Sequence, residues 1–205
     1  MKNLVLKCLA IFGLCAALTT LFIITTAHGQ SGQSPHPRIT SRPVVVMATG
    51  AVQPTAGSTL FRNQDGVFFS FSTSGLTNGH AVTLWMAVFN NPEFCATSPC
   101  TPADFANPAV DGTLLNTGGR VIGPDGSATY GAFRAVGDTT GARPNFGTGN
   151  GLVKPLSAEI HLVTRTHGPA NLMDAMVLQE QLTMFFGGCP GGVGCMNIHA
   201  SVHQR

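Results

Sequence analysis

Leu156 to Ala170 reads LSAEIHLVTRTHGPA, and this stretch decides the fold. Ala158, Ile160, Leu162 and Thr164 alternate with Glu159, His161, Val163 and Arg165. Successive strand side chains point to opposite faces, so this period-two pattern predicts a half-buried β-strand with its apolar side inward. Gly168-Pro169 stops it, because proline has no N–H to give to a ladder. The polar side brings Glu159, His161 and Arg165 into line, with His167 just past the strand end. A carboxylate, two imidazoles and a guanidinium in one row make this the candidate site, although their spacing matches no reaction signature.

Other strands follow from the same period. Val44–Val52 reads as a first strand, and Thr59–Arg62 with Val67–Thr73 as a hairpin around Asn63-Gln64-Asp65-Gly66, where Asp-Gly supplies positive-φ turn chemistry. His80–Phe89 is almost continuously apolar, carries the single tryptophan, Trp85, and suits a strand buried on both faces. Val110–Ile122 and Ser127–Val136 are predicted to form a second hairpin about Pro124-Asp125-Gly126. Asp138–Lys154 reads as a long Gly-rich surface loop bordering the site. Its Gly147-Thr148-Gly149-Asn150-Gly151 lacks the preceding strand and following helix that a phosphate loop needs. Asn171 is placed to cap a short helix in which Met173 and Met176 fill the core, and Leu182–Phe186 returns to strand. Met196, Ile198, Ala200 and Val202 then alternate with Asn197, His199, Ser201 and His203 in a last strand. Many short strands, dense turns and one marginal helix predict a single antiparallel β-sandwich or Greek-key domain.

The N-terminus sets the compartment. Residues 1–29 hold Lys2 and Lys7, an apolar run from Leu9 to Ile24, and Ala27-His28-Gly29, the outline of a signal peptide. The protein is therefore expected to be secreted, extracellular or periplasmic. Membrane contact is expected only if that segment stays uncleaved as an anchor. Residues 30–41 are polar and proline-rich and read as a linker, and the β-sandwich is expected over 42–205. Removing 29 of the 205 residues leaves 176, enough for one domain with a real core. Loss of Lys2 and Lys7 brings 11 basic residues down to 9, equal to the 9 acidic ones. A neutral chain with no basic patch lacks the electrostatic footprint of a nucleic-acid binder.

Cys8 and Cys15 fall in the leader, which leaves Cys95, Cys100, Cys189 and Cys195. Each close pair spans a turn-rich segment, so the expected disulfides are Cys95–Cys100 and Cys189–Cys195. A tetrathiolate zinc site is the rival arrangement.

His199 and His203 stand four apart, a zinc spacing on a helix. On a strand that spacing is about 13 Å at ~3.3 Å per residue, too long for one ion. A zinc or copper site would have to be assembled across strands, with His161, His167 and His199 as its ligands and His161 facing His199. No G-x-S-x-G elbow occurs, so no serine nucleophile is marked. The aromatic residues concentrate in apparent core strands, which predicts no stacking platform for a sugar.

Thr83–Pro92 (TLWMAVFNNP), Val136-Gly137-Asp138, Ala158–Pro169 and Gly187-Gly188-Cys189-Pro190 resemble the corresponding stretches of a family of uncharacterised exported bacterial β-rich proteins. Ser74–Thr77 (SGLT) and His167–Ala170 (HGPA) are similar to motifs of bacterial CHRD (chordin-type) modules. The paired histidines usual before that Gly-Pro are missing here. The resemblance implies an antiparallel β-sandwich. A non-catalytic domain with an extracellular or envelope ligand is the favoured reading. A zinc- or copper-dependent enzyme or metal-binding protein is the alternative, on the face of Glu159, His161, Arg165, His167, His199 and His203.

Overall fold

The computed structural model describes residues 36–189 and 192–205, so the leader and residues 30–35 of the expected linker lie outside the described residues. Among the described residues, ten strands form two antiparallel sheets. The four-stranded sheet runs β1 (Arg38–Arg42), β3 (Gly57–Arg62), β4 (Gly66–Thr73), β7 (Ala128–Ala135). The six-stranded sheet runs β2 (Val45–Val46), β10 (Met196–His203), β9 (Glu159–Pro169), β5 (His80–Phe89), β6 (Gly112–Val121), β8 (Ala142–Gly147). The fold is an all-β sandwich with one short α-helix, α1 (Ala175–Thr183).

Alternation explains the core. Leu60, Val67, Phe69 and Phe71 of the four-stranded sheet meet Leu84, Met86, Val88, Leu115, Ile160 and Leu162 of the other. Each such side chain contributes roughly 1.5–3 kcal/mol on full burial. β5 is buried on both sides, as its unbroken apolar run requires. Its second face packs Trp85, Ala87 and Phe89 against Cys100, Val110 and Leu114, with Phe105, Phe146 and Phe185 closing over them. The cover comes from three 3-10 turns between Pro92 and Val110, and from α1, which crosses β6 at Gly119. A side chain at Gly119 would collide with the Leu182 carbonyl.

Several elements differ from expectation. β6 and β7 are not a hairpin: β6 pairs with β5 and β8, while β7 pairs with β4. The Pro124-Asp125-Gly126 turn carries the chain between sheets, and turn chemistry does not specify which sheet each arm joins. Tyr130 of β7 donates from its hydroxyl to the Val82 carbonyl across the sandwich at 3.0 Å. The Gly-rich segment contains β8. The segment expected as a linker ends in β1, which pairs with β3 from Arg38 onward. Val44–Val52 is broken: β2 has two residues, and Val52 returns only as a single bridge to Val45. Asp174, not Asn171, caps α1, accepting from the Met176 and Val177 amides at 2.9 and 3.2 Å. Met173, just before that helix, and Met176, in its first turn, are exposed rather than in the core. Residues 184–186 leave the helix into a turn instead of a strand.

Both expected cross-links are present, Cys95–Cys100 and Cys189–Cys195, with Cα atoms 5.4 and 5.8 Å apart. Two disulfides fit an oxidising compartment. No helix among the described residues is long and apolar enough to cross a membrane. Replacing Cys95 and Cys100 together with serine should lower stability by about 2 kcal/mol, the chain-entropy value for so short a loop. Urea titration checks this, and an unchanged midpoint would remove the staple from the stability argument.

Candidate functional site

The polar side of β9 is not an open face. Glu159, Arg165 and His167 are buried, and only His161 retains partial exposure. The 92–110 segment covers the Glu159 end, and the turn after α1 covers the His167 end. β9 is therefore enclosed on both sides, which period-two alternation could not reveal because the covering segments come from elsewhere in the chain.

At the first end, Glu159 Oε1 accepts from the Cys100 amide at 2.6 Å and from His161 Nε2 at 2.7 Å. The short Cys95–Cys100 loop thus aims a backbone N–H at the carboxylate, and the i, i+2 spacing on one strand face aims the imidazole. The His161 ring also meets Phe89 edge-on, centroids 5.2 Å apart. A cavity of about 300 Å³ opens above Glu159, lined by Pro92, Glu93, Cys95, Ser98, Gln204 and Arg205 among others. Gln204 Nε2 donates to Ser98 Oγ at 3.0 Å, and Arg205 faces Glu93 at 3.5 Å.

At the other end, the ring nitrogens of Trp85 and His167 and two of the Arg165 nitrogens are engaged internally. Trp85 Nε1 donates to Thr83 Oγ1 at 2.7 Å, Thr83 lies 2.9 Å from His167 Nε2, and His167 Nδ1 donates to the Gly187 carbonyl at 3.0 Å. Because the Gly187 carbonyl can only accept, Nδ1 carries a proton, and the Thr83 hydroxyl also lies 3.4 Å from the Arg165 carbonyl. Burial pushes the His167 pKa down, opposed by the Gly187 bond. Arg165 donates to the Phe185 carbonyl at 2.7 Å and to Asn197 Oδ1 at 2.8 Å, and lies 4.0 Å above the Phe185 ring. Glu159 and Arg165 are not partners. The ligand atoms of His167, Cys189 and Cys195 lie within 4.8 Å of one another. Metal binding there would need free thiolates, whereas these two sulfurs are bonded to each other.

His199 and His203 lie on the opposite side of the six-stranded sheet, between the sheets. His199 faces Thr164 in register, and Val202 rather than His199 faces His161. The register shift between Asn197 and His199 is the cause, since a bulge inverts the direction of the residues beyond it. Asn197 therefore points out toward Arg165, while His199 and His203 point in. His199 Nδ1 bonds Thr73 Oγ1 at 2.8 Å. His203 is held at both nitrogens, by Thr40 Oγ1 at 3.0 Å and Ser58 Oγ at 2.7 Å. Burial, then the charges of Arg62, Arg42 and His161, push its pKa down to about 3. His161, His167 and His199 do not converge: the first two are six residues apart on one strand, about 20 Å, and the third is on the other face. The predicted roof from Asp138 to Lys154 contributes Phe146, which packs on Phe105 and Phe185 with centroids 5.9 and 5.2 Å apart.

A second surface was not anticipated. On the outer side of the four-stranded sheet, Ile39 faces Phe61, Phe61 faces Phe68, and Phe68 faces Phe133. The row crosses every strand, about 14 Å at ~4.8 Å per strand. Ile39 is 67%, Phe68 51% and Phe133 39% exposed. The Phe61–Phe68 and Phe68–Phe133 centroids are 6.4 and 4.4 Å apart. Beside it run hydroxyls, with Ser41 bonded to Thr59 at 3.2 Å and Ser72 to Thr129 at 3.1 Å. The signal was Val67-Phe68-Phe69-Ser70-Phe71, where consecutive phenylalanines must face opposite ways.

The HGPA segment lies against Gly79 and His80: His80 pairs with Pro169, and the Ala170 amide donates to the Gly79 carbonyl at 2.9 Å. No protein-family model matches this chain, and no curated protein matches it.

Proposed function

We propose that this protein is a secreted, CHRD-like β-sandwich that docks onto an extracellular or cell-envelope surface and has no catalytic role. The observation that carries this reading is the Ile39–Phe61–Phe68–Phe133 row. A contiguous apolar row on a sheet face, rimmed by hydroxyls, marks an interaction surface. The same reading accounts for the histidines: the nitrogens of His167 and His203 hold the domain together instead of facing a substrate.

The expected result is that the protein co-sediments with isolated cell envelopes. The double variant Phe68→Ser, Phe133→Ser should stay folded and soluble, losing roughly 1–2 kcal/mol as two half-exposed rings and their cross-strand contact are removed. Equal sedimentation of variant and wild type would sink the docking reading.

A second reading, a zinc- or copper-dependent protein, draws on His161, whose ring is oriented by a buried carboxylate as metal-binding imidazoles often are. Elemental analysis of the purified protein, with His161→Ala as control, tests it. Stoichiometric metal lost in the folded variant would favour this second reading.

A further inference from the structure

We infer that the cavity above Glu159 binds a small ligand carrying a primary ammonium group. This rests on reading the protein as a binding domain, but it concerns a different surface from the phenylalanine row. Glu159 is only 3% exposed, yet it lines the cavity. Its Oε1 already takes two donors, and Oε2 has no hydrogen-bond partner among the described residues. That oxygen is not sealed off from the cavity that Glu159 lines, so it is free to accept from a ligand that donates.

The lining narrows the class. An ionised carboxylate accepts only, and the rim adds Glu93, whose contact with Arg205 is loose at 3.5 Å with both side chains 44% exposed. A cation can exchange for that guanidinium at little cost, because exposed pairs of this kind are weak. One free carboxylate oxygen suits a compact ammonium better than the two-pronged fork of a guanidinium. A metal ion needs at least three converging ligand atoms, and the Nε2 of the neighbouring imidazole is engaged by Glu159. Pro92 and the Cys95 side chain give the wall an apolar portion that suits a short alkyl tail. A volume near 300 Å³ is at the lower end for small-molecule sites.

Titration of the full chain with butylamine, using 1-butanol as the uncharged control, tests this by NMR at the Cys100 and Ser98 amides. Saturable shifts are expected with butylamine and none with 1-butanol. Glu159→Gln should weaken butylamine at least tenfold. Because Glu159 is buried, the exposed Glu93→Lys is a second variant that leaves the fold intact, and it should weaken binding several-fold. Absence of saturation in wild type, equal binding of the alcohol, or unchanged affinity in both variants would overturn the inference. So would preferential saturation by zinc at the same amides. Envelope sedimentation reads the docking face separately, so loss of one result leaves the other standing.

Discussion

Replacing Arg62 with methionine should lower stability by about 3–5 kcal/mol, the range for removing one member of a buried charged network. The side chain is fully buried. It donates to the carbonyls of Pro155 at 3.0 Å, Ala158 at 2.7 Å and His203 at 3.1 Å, tying β3 to the segment before β9 and to the end of β10. Burial and Arg38 lower its pKa to about 10, against the opposing charge of Glu159, so it is cationic at neutral pH. Methionine fills similar volume, and the loss therefore isolates three carbonyls left without a donor, each costing about 1–3 kcal/mol if buried. Urea denaturation reads the change. The same variant should raise the His203 pKa, since the Arg62 charge is one of the groups that depress it. A loss below about 1 kcal/mol would mean that water replaces the guanidinium, and the keystone role would fail.

Acid should weaken the fold well before its carboxylates are protonated. The folded His203 pKa of about 3 lies below the ordinary 6.5, so from about pH 6.5 downward the unfolded chain takes a proton that the folded chain refuses. Stability then falls as pH falls, at about 1.4 kcal/mol per pH unit for one group, or roughly 2–3 kcal/mol by about pH 4.5. His199 and His167, also lowered by burial, act in the same direction. Asp104 and Asp138, held below their ordinary values by backbone N–H groups, lose their contribution only below about pH 4. The window above that value belongs to the histidines. His203→Gln keeps a donor and an acceptor for Thr40 and Ser58 but cannot titrate. It should flatten the stability profile between about pH 6.5 and 4.5, and an undiminished slope would refute the assignment.

Local pattern carried most of the architecture. The apolar run of β5, the alternation in β9, the Asp65-Gly66 hairpin and the two cysteine pairs each bind residues close in sequence, and each is found in the structure. Partner choice was not legible where it depends on distant segments, as in the separation of β6 from β7. For the site, the Glu159–His161 pair was legible because two residues apart on a strand means the same face. The Glu159–Cys100 contact, the enclosure of Arg165 and His167, and the cavity wall of Ser98 and Gln204 depend on loops that carry no periodicity. The inward direction of His199 and His203 was hidden by one bulge, which reverses faces without altering the alternating pattern.

The imidazole–hydroxyl pairs between the sheets set a rule for how this sequence can diverge. Apolar packing tolerates drift by exchanging one aliphatic residue for another of similar volume. The triad of Thr40, Ser58 and His203 permits no such drift, because losing either hydroxyl leaves an enclosed ring nitrogen without its mate. Homologues should therefore keep both hydroxyls beneath a residue at 203 that can donate and accept, or exchange all three for an aliphatic set. A partial mixture would mark lineages where the two layers have slipped relative to each other.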